Sequence, residues 1–421
     1  MRTVPDSPIR ILVVGAGQRG TDYARLAAGA AVPAQVVAVA EPREKYRDRL
    51  ANAHGIQTGL RFAGWHEAAA APKLADAVFI TTQDALHAEP ACTFADLGYH
   101  ILLEKPMAPD EVSCRRIVAA AQRNGILLAV CHVLRYTPYT RTLKSLVASG
   151  QLGDIVSLDR LEPVGWWHQA HSFVRGAWSV ESDSSPMLLS KSCHDLDWLL
   201  HITGLHCRRV SSFGSLKHFR PENKPQGAAS RCLDCAVEEN CPYSALKLYL
   251  PLVRSGRTGW PLDVLTPYPT EERILDALRS GPFGVCVYEG QNDVVDHQVV
   301  NLEFEQGVTA SFTMTAFTRA RNREDRLFCT RAEVSGDGRF IEVFDFNHGK
   351  TERIDTGADG DHTAMGGHGG GDRGVVDAFL QAVASGSPES ILSNPAETLE
   401  SHLIAFAAER SRRQRAIVEL G

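Results

Sequence analysis

A chain of 421 residues with 44% hydrophobic and 22% charged residues has the composition of a soluble globular protein and length enough for two cores. A formal net charge of −6 without long runs of one sign argues against nucleic acid or an anionic membrane as partner, and no apolar run nears the ~18 residues of a membrane helix. Residues 1–10 hold no hydrophobic signal core, which predicts a cytoplasmic protein whose ten cysteines are reduced thiols or metal ligands rather than disulfides.

The first predicted strand covers residues 10–14 and runs into Gly15-Ala16-Gly17-Gln18-Arg19-Gly20, a GxGxxG between a strand and a helix at residues 21–30. Such glycines let backbone approach a pyrophosphate at the helix N-terminus. A second strand, residues 35–40, ends at Glu41, 21 positions after Gly20. An acidic residue there can accept from ribose hydroxyls and repel a 2′-phosphate, favouring NAD over NADP, although Arg43 and Arg47 stand close enough to serve a phosphate. Taken alone, Glu41 also fits a helix-start carboxylate. Buried strands at residues 77–80 and 101–103 follow; the first leads into Thr81-Thr82-Gln83-Asp84 and the second stops at Glu104-Lys105-Pro106. In an open parallel sheet, ligands sit beyond the carboxyl ends of strands, where this charged pair falls. A helix at 110–123 and a strand at 125–130 close this part. His132 and Arg135-Tyr136-Thr137-Pro138 then lead into the next.

From there the pattern changes to alternating strands at 156–163, 299–304 and 308–314, the last two joined by Glu305-Gln306-Gly307. Strand-rich sequence of this kind predicts an α+β domain with a one-sided sheet. Helical spacing returns at 375–384 and 395–409, after a glycine-rich loop at 366–372 that carries His368.

With its GxGxxG followed about 85 residues later by a strand ending in Glu104-Lys105-Pro106, the sequence resembles the Gfo/Idh/MocA family of NAD(P)-dependent oxidoreductases, closely over residues 10–155 and more loosely beyond. The resemblance implies an α/β Rossmann domain with a doubly wound parallel sheet (1–138). It implies next a substrate and oligomerisation α+β domain with an open-faced, largely antiparallel sheet (139–373). C-terminal helices (374–421) are expected to pack back near the Rossmann domain. It also implies NAD bound by Gly15, Gly17, Gln18, Arg19, Gly20, Glu41, Arg43, Thr81, Thr82, His87, Glu104 and Lys105, and a homodimer or homotetramer joined through the open sheet. Without the resemblance, Thr81-Thr82 reads as a helix cap.

Four groups of residues carry chemistry. Hydride removal from an alcohol carbon needs a group to take the hydroxyl proton, and Lys105, at a strand end beside the expected nicotinamide, suits that task. His194 matches the family's acid/base histidine on a helix running to about Leu200, but Ser190 stands where the family has an aspartate, so no Asp/His dyad is expected. The run from Trp166 to Trp178 offers rings to stack on a sugar and His168 and Arg175 to reach hydroxyls or an anionic group; a core-forming loop explains it equally well. With His132, Lys191 and His194, these make the expected substrate site. Finally, Cys232, Cys235 and Cys241 lie in an insertion at about 215–269 and, with His218 as fourth ligand, suit a structural zinc that would hold a segment of low apolar content together. Free thiols or a redox pair are the alternatives.

The expected function is an NAD-dependent oxidoreductase moving a hydride at a secondary hydroxyl of a sugar, cyclitol or glycoside. The alternative is a redox-neutral NAD-dependent glycosidase working by oxidation, elimination, hydration and reduction, on an anionic glycoside such as a sulfoquinovoside. A non-enzymatic NAD sensor is disfavoured because Lys105 and His194 are both present.

Overall fold

The structure, a computed structural model, describes residues 7–357 and 368–421. Gly366 and Gly367 of the glycine-rich loop lie outside the described residues. Six parallel strands, β1 (Ile9–Val14), β2 (Ala34–Ala40), β3 (Arg61–Phe62), β4 (Ala77–Ile80), β5 (His100–Leu103) and β6 (Leu128–Val130), form a sheet in the order β3-β2-β1-β4-β5-β6. This is the doubly wound dinucleotide-binding order, with the reversal point between β1 and β4. Ala77-Val78-Phe79-Ile80 is buried at every position because both faces of the sheet are covered. Helix Gly371–Ser385 covers one face, placing Val375, Val376, Phe379 and Leu380 in the apolar cluster of β1 and β4, with Phe379 edge-on to Phe79 at 5.9 Å.

The second sheet comprises β7 (Ile155–Pro163), β8 (Cys207–Ser215), β9 (His297–Phe304), β10 (Thr309–Thr315), β11 (Glu324–Cys329), β12 (Ala332–Gly336), β13 (Phe340–Asp345), β14 (Lys350–Asp355) and β15 (Val418–Glu419). Their order is β14-β13-β12-β11-β7-β10-β9-β8-β15. Only β7 and β10 pair in parallel. β9 alternates strictly between buried and more exposed positions, as a sheet with one covered face must. Helices Cys193–Thr203 and Pro395–Gln414 lie on the covered face, burying Leu196, Trp198 and Leu199 with Ile404, Ala405 and Ala408.

The cysteine-bearing insertion is longer and better packed than its composition predicts. It occupies the whole connection from Ser215 to His297. Helices Ala245–Arg254 and Glu271–Ser280 contribute Tyr249, Ile274 and Leu278 to a small core with Cys232, Ala245, Leu262 and Phe283.

Candidate active site

The phosphate turn is held by contacts that only glycine allows. Gly15 has φ +94°, and a Cβ there would lie 2.7 Å from the Thr81 carbonyl oxygen. A Cβ on Gly20 would lie 2.0 Å from the Gly15 carbonyl. A Cβ on Gly17 would meet only the end of the Arg43 side chain, at 3.7 Å, so this turn is open where a pyrophosphate must approach. Thr81 ties the next loop to it, donating from Oγ1 to the Gly15 carbonyl at 2.7 Å. Thr82 Oγ1 donates to the Leu86 carbonyl at 3.1 Å.

Glu41 is buried at the end of β2, where Oε2 accepts from the Ala16 N–H at 2.8 Å and Oε1 from Arg43 Nε at 2.7 Å. Burial alone would raise its pKa, but the bonds from Arg43 and Ala16 hold the carboxylate below its usual range. Arg43 is exposed over half of its side chain and stands beside Gly17.

Two expected cofactor contacts have other duties. Arg19 turns its guanidinium away from the turn: Nε donates to Glu104 Oε1 at 2.8 Å and Nη2 to Asp372 Oδ1 at 2.6 Å, and Tyr23 joins them. This clamp fastens the phosphate turn to the end of β5 and to helix Gly371–Ser385. Glu104 Oε2 also accepts from the Lys105 N–H at 2.7 Å. His87 is wholly buried, with Nδ1 2.8 Å from the Pro106 carbonyl and Nε2 3.1 Å from that of Thr82, and so joins the two loops from behind.

A cavity of about 150 Å³ opens beyond the ends of β4 and β5, lined by Gln18, Arg19, Thr81, Thr82, Asp84, Glu104, Lys105, His168, Ser172, Phe173, Trp178, Ser190, Lys191, His194, Trp260 and His368. Lys105 Nζ donates to the Ser190 carbonyl at 2.6 Å. The helix is interrupted between Ser190 and Cys193, and the backbone at Ser190 supplies the acceptor for Lys105. His194 is buried, and its Nδ1 has no hydrogen-bond partner among the described residues. Burial, then the charge of Lys105, holds its pKa well below the usual imidazole value, so the ring is neutral at pH 7. Burial and Lys191 do the same to His168.

Lys191 Nζ lies 3.4 Å from Glu162, which also pairs with Arg323 at 2.7 Å. Burial, then Arg323 and Lys105, lowers the Lys191 pKa against the pull of Glu162. Behind it, Asp195 accepts from Arg160 Nε at 2.8 Å and Arg323 Nε at 2.6 Å. Asp195→Ala would leave two guanidiniums short of a partner in a buried network, and the expected loss is about 3–5 kcal/mol in urea unfolding. A loss under about 1 kcal/mol would show the network to be dispensable.

Three sequence expectations need correction. His132 is wholly buried, its ring 5.6 Å from both His194 and His402, and it does not line the cavity. Arg175 lies away from the cavity; Nε donates to the Val285 carbonyl at 2.7 Å and Nη2 to that of Tyr243 at 2.9 Å. His218 does not join the cysteines: its Nε2 lies 3.1 Å from Tyr288 Oη and its ring packs against Phe219, Tyr243 and Phe317. Conversely, Trp260 and Asp84 line the cavity without having been expected there. Trp260 arrives from the insertion, 82 residues after Trp178 in the chain, and no local pattern marks it.

Residues 9–132 match the model of the oxidoreductase family with an NAD-binding Rossmann fold, Gfo/Idh/MocA. Among curated relatives, inositol 2-dehydrogenase of Streptomyces avermitilis is 34% identical over 45% of this chain and 52% of its own. The 2,7-anhydro-N-acetylneuraminate hydratase of Escherichia coli is 27% identical over 37% of this chain and 41% of its own. The chain thus spans about half the length of the curated relatives it matches. A levoglucosan dehydrogenase solved with NADH and L-sorbose has the same fold, with a TM-score of 0.73 at 18% identity over 99% of both chains.

Proposed function

We propose that the protein is an NAD-dependent oxidoreductase that moves a hydride at a secondary hydroxyl of a sugar, cyclitol or glycoside. One observation carries this reading: Lys105 and a neutral His194, whose Nδ1 has no partner among the described residues, line one cavity at the carboxyl edge of the parallel sheet. The open side of Gly17 and the Glu41 carboxylate fit a dinucleotide, and the acidic residue favours NAD. When bound, the nicotinamide supplies the hydride acceptor. The chain supplies the rest. The Ser190 carbonyl holds Lys105 Nζ, leaving its other N–H groups for the substrate oxygen, and the His194 ring at the cavity wall is the base for the hydroxyl proton. Trp178, Phe173 and Trp260 offer apolar faces for a pyranose or cyclitol ring, and Lys191 and His168 reach its hydroxyls. The open face of the second sheet is the expected seat of a homodimer or homotetramer.

The second reading is the redox-neutral glycosidase. An elimination route needs a base for a carbon-bound proton and an acid for the leaving group. Lys191, His168 and His368 add titratable groups to Lys105 and His194 around the same cavity, and the lysines suit an anionic glycoside such as a sulfoquinovoside. Incubation with NAD and a panel of neutral and anionic glycosides separates the two. The expected result is NADH formed in proportion to substrate consumed; NAD-dependent aglycone release without NADH build-up would refute it in favour of the glycosidase.

A further inference from the structure

The cysteines of the insertion meet a partner that their spacing does not disclose. Cys232, Cys235, Cys241 and Cys286 line one cavity of about 120 Å³ with Arg175 at its wall. Two tight turns place the first three: the Cys235 N–H donates to the Cys232 carbonyl at 3.4 Å, and the Cys241 N–H to that of Glu238 at 3.0 Å. Cys286 is brought alongside by an antiparallel bridge between Arg231 and Val285 and by its own N–H, which donates to the Ser230 carbonyl at 2.9 Å. The sulfurs of Cys241 and Cys286 accept from the backbone N–H groups of Tyr243 and Tyr288, each two residues on. All four cysteines are free of disulfides.

Arg175 supplies an independent observation. It is 6% exposed, makes no ion pair with a carboxylate among the described residues, and its Nη1 has no partner there. Its Nη2 donates to Cys232 Sγ at 3.4 Å. A buried guanidinium satisfied only by carbonyls and one sulfur lacks a counter-charge, and a buried cation without one is strongly disfavoured.

We propose that Cys232, Cys235, Cys241 and Cys286 form a tetrathiolate site for one zinc ion, with Arg175 as its counter-charge. Binding exchanges four S–H protons for one Zn²⁺, leaving a centre of net charge −2 that the Arg175 guanidinium partly neutralises. Among the described residues no three His, Cys, Asp or Glu side chains stand as a finished ligand set, so the four sulfurs, which border the cavity, draw in around the ion. Through Arg175 the site ties the insertion to the segment Gln169–Val174, whose Ser172 and Phe173, with the adjacent His168, wall the active-site cavity. It is therefore a structural centre, independent of the reaction assigned to that cavity.

The test uses the full-length protein purified without added metal. Elemental analysis should give one zinc per chain, and X-ray absorption four sulfur neighbours at ~2.3 Å. Titration with p-mercuribenzoate in the native state should release that zinc as four thiols react. His218→Ala should keep the zinc, and Cys286→Ser should lose most of it. If Cys286→Ser does not fold, the absorption spectrum of the wild-type protein decides. A metal-free protein, iron with inorganic sulfide, a Cys–Cys disulfide found by mass spectrometry, or a three-sulfur, one-nitrogen shell would each overturn the assignment.

Discussion

Lys105→Met is expected to lower turnover by roughly 10²-fold or more while leaving dinucleotide binding intact, the scale on which removal of a positioned acid or base acts. Methionine keeps the length and apolar stem of lysine but offers no donor to the Ser190 carbonyl or to a substrate oxygen. Dinucleotide binding should persist because the phosphate turn rests on Gly15, Gly20 and Thr81, and its link to β5 runs through Arg19 and Glu104, not the Lys105 side chain. Fluorescence titration with NADH checks dinucleotide binding, and kcat at saturating NAD with a substrate found in the glycoside panel checks turnover. Turnover close to wild type would remove Lys105 from the chemistry.

The second large effect is acid unfolding. Burial holds His132, His168 and His194 well below the ordinary imidazole pKa, and lowers His171 and His402 to about 3. An unfolded chain protonates these residues near pH 6.5, whereas the folded protein does not. Below that pH the unfolded state binds more protons, so stability falls as pH falls. Each such group contributes about 1.4 kcal/mol per pH unit, and five together make a slope on the order of 5 kcal/mol per unit between pH 6 and 5. Over two units that is about 10 kcal/mol, comparable with the whole stability of most domains, so cooperative unfolding is expected near pH 5. Circular dichroism at 222 nm with a matched urea series would follow it. Stability unchanged from pH 7 to pH 5 would mean that these rings are protonated in the folded state.

What was legible in the sequence is what is local. Ile11-Leu12-Val13-Val14 followed by three spaced glycines specifies a buried strand and a turn that only glycine can make, and the carbonyl packed against Gly20 shows why. The apolar runs at 77–80 and 101–103 ending at Thr81 and Glu104 place both loops at the carboxyl edge, because a parallel sheet puts every strand end on the same side. The helical spacing of 375–384 marks an amphipathic element. That it covers β1 and β4 is visible only in the packing of Phe379 on Phe79.

Tertiary structure decided the roles of long, charged or aromatic side chains, whose reach exceeds any sequence pattern. Arg19 sits in the phosphate turn, but its guanidinium belongs to Glu104 and to Asp372, 353 residues away. Arg175 and His168 are seven residues apart, yet one faces the thiols and the other the active-site cavity, because the chain turns through the π-helical segment Gln169–Val174 between them. The Ser190 side chain offers no carboxylate, and only the fold shows that its backbone carbonyl holds Lys105 at a break in the helix. Cys286 lies 45 residues beyond Cys241, outside any turn that could announce it, and arrives by a backbone bridge at Val285. Short-range backbone chemistry is written in residue order, whereas the partner of a buried charge or thiol is selected by whichever distant segment the fold brings against it.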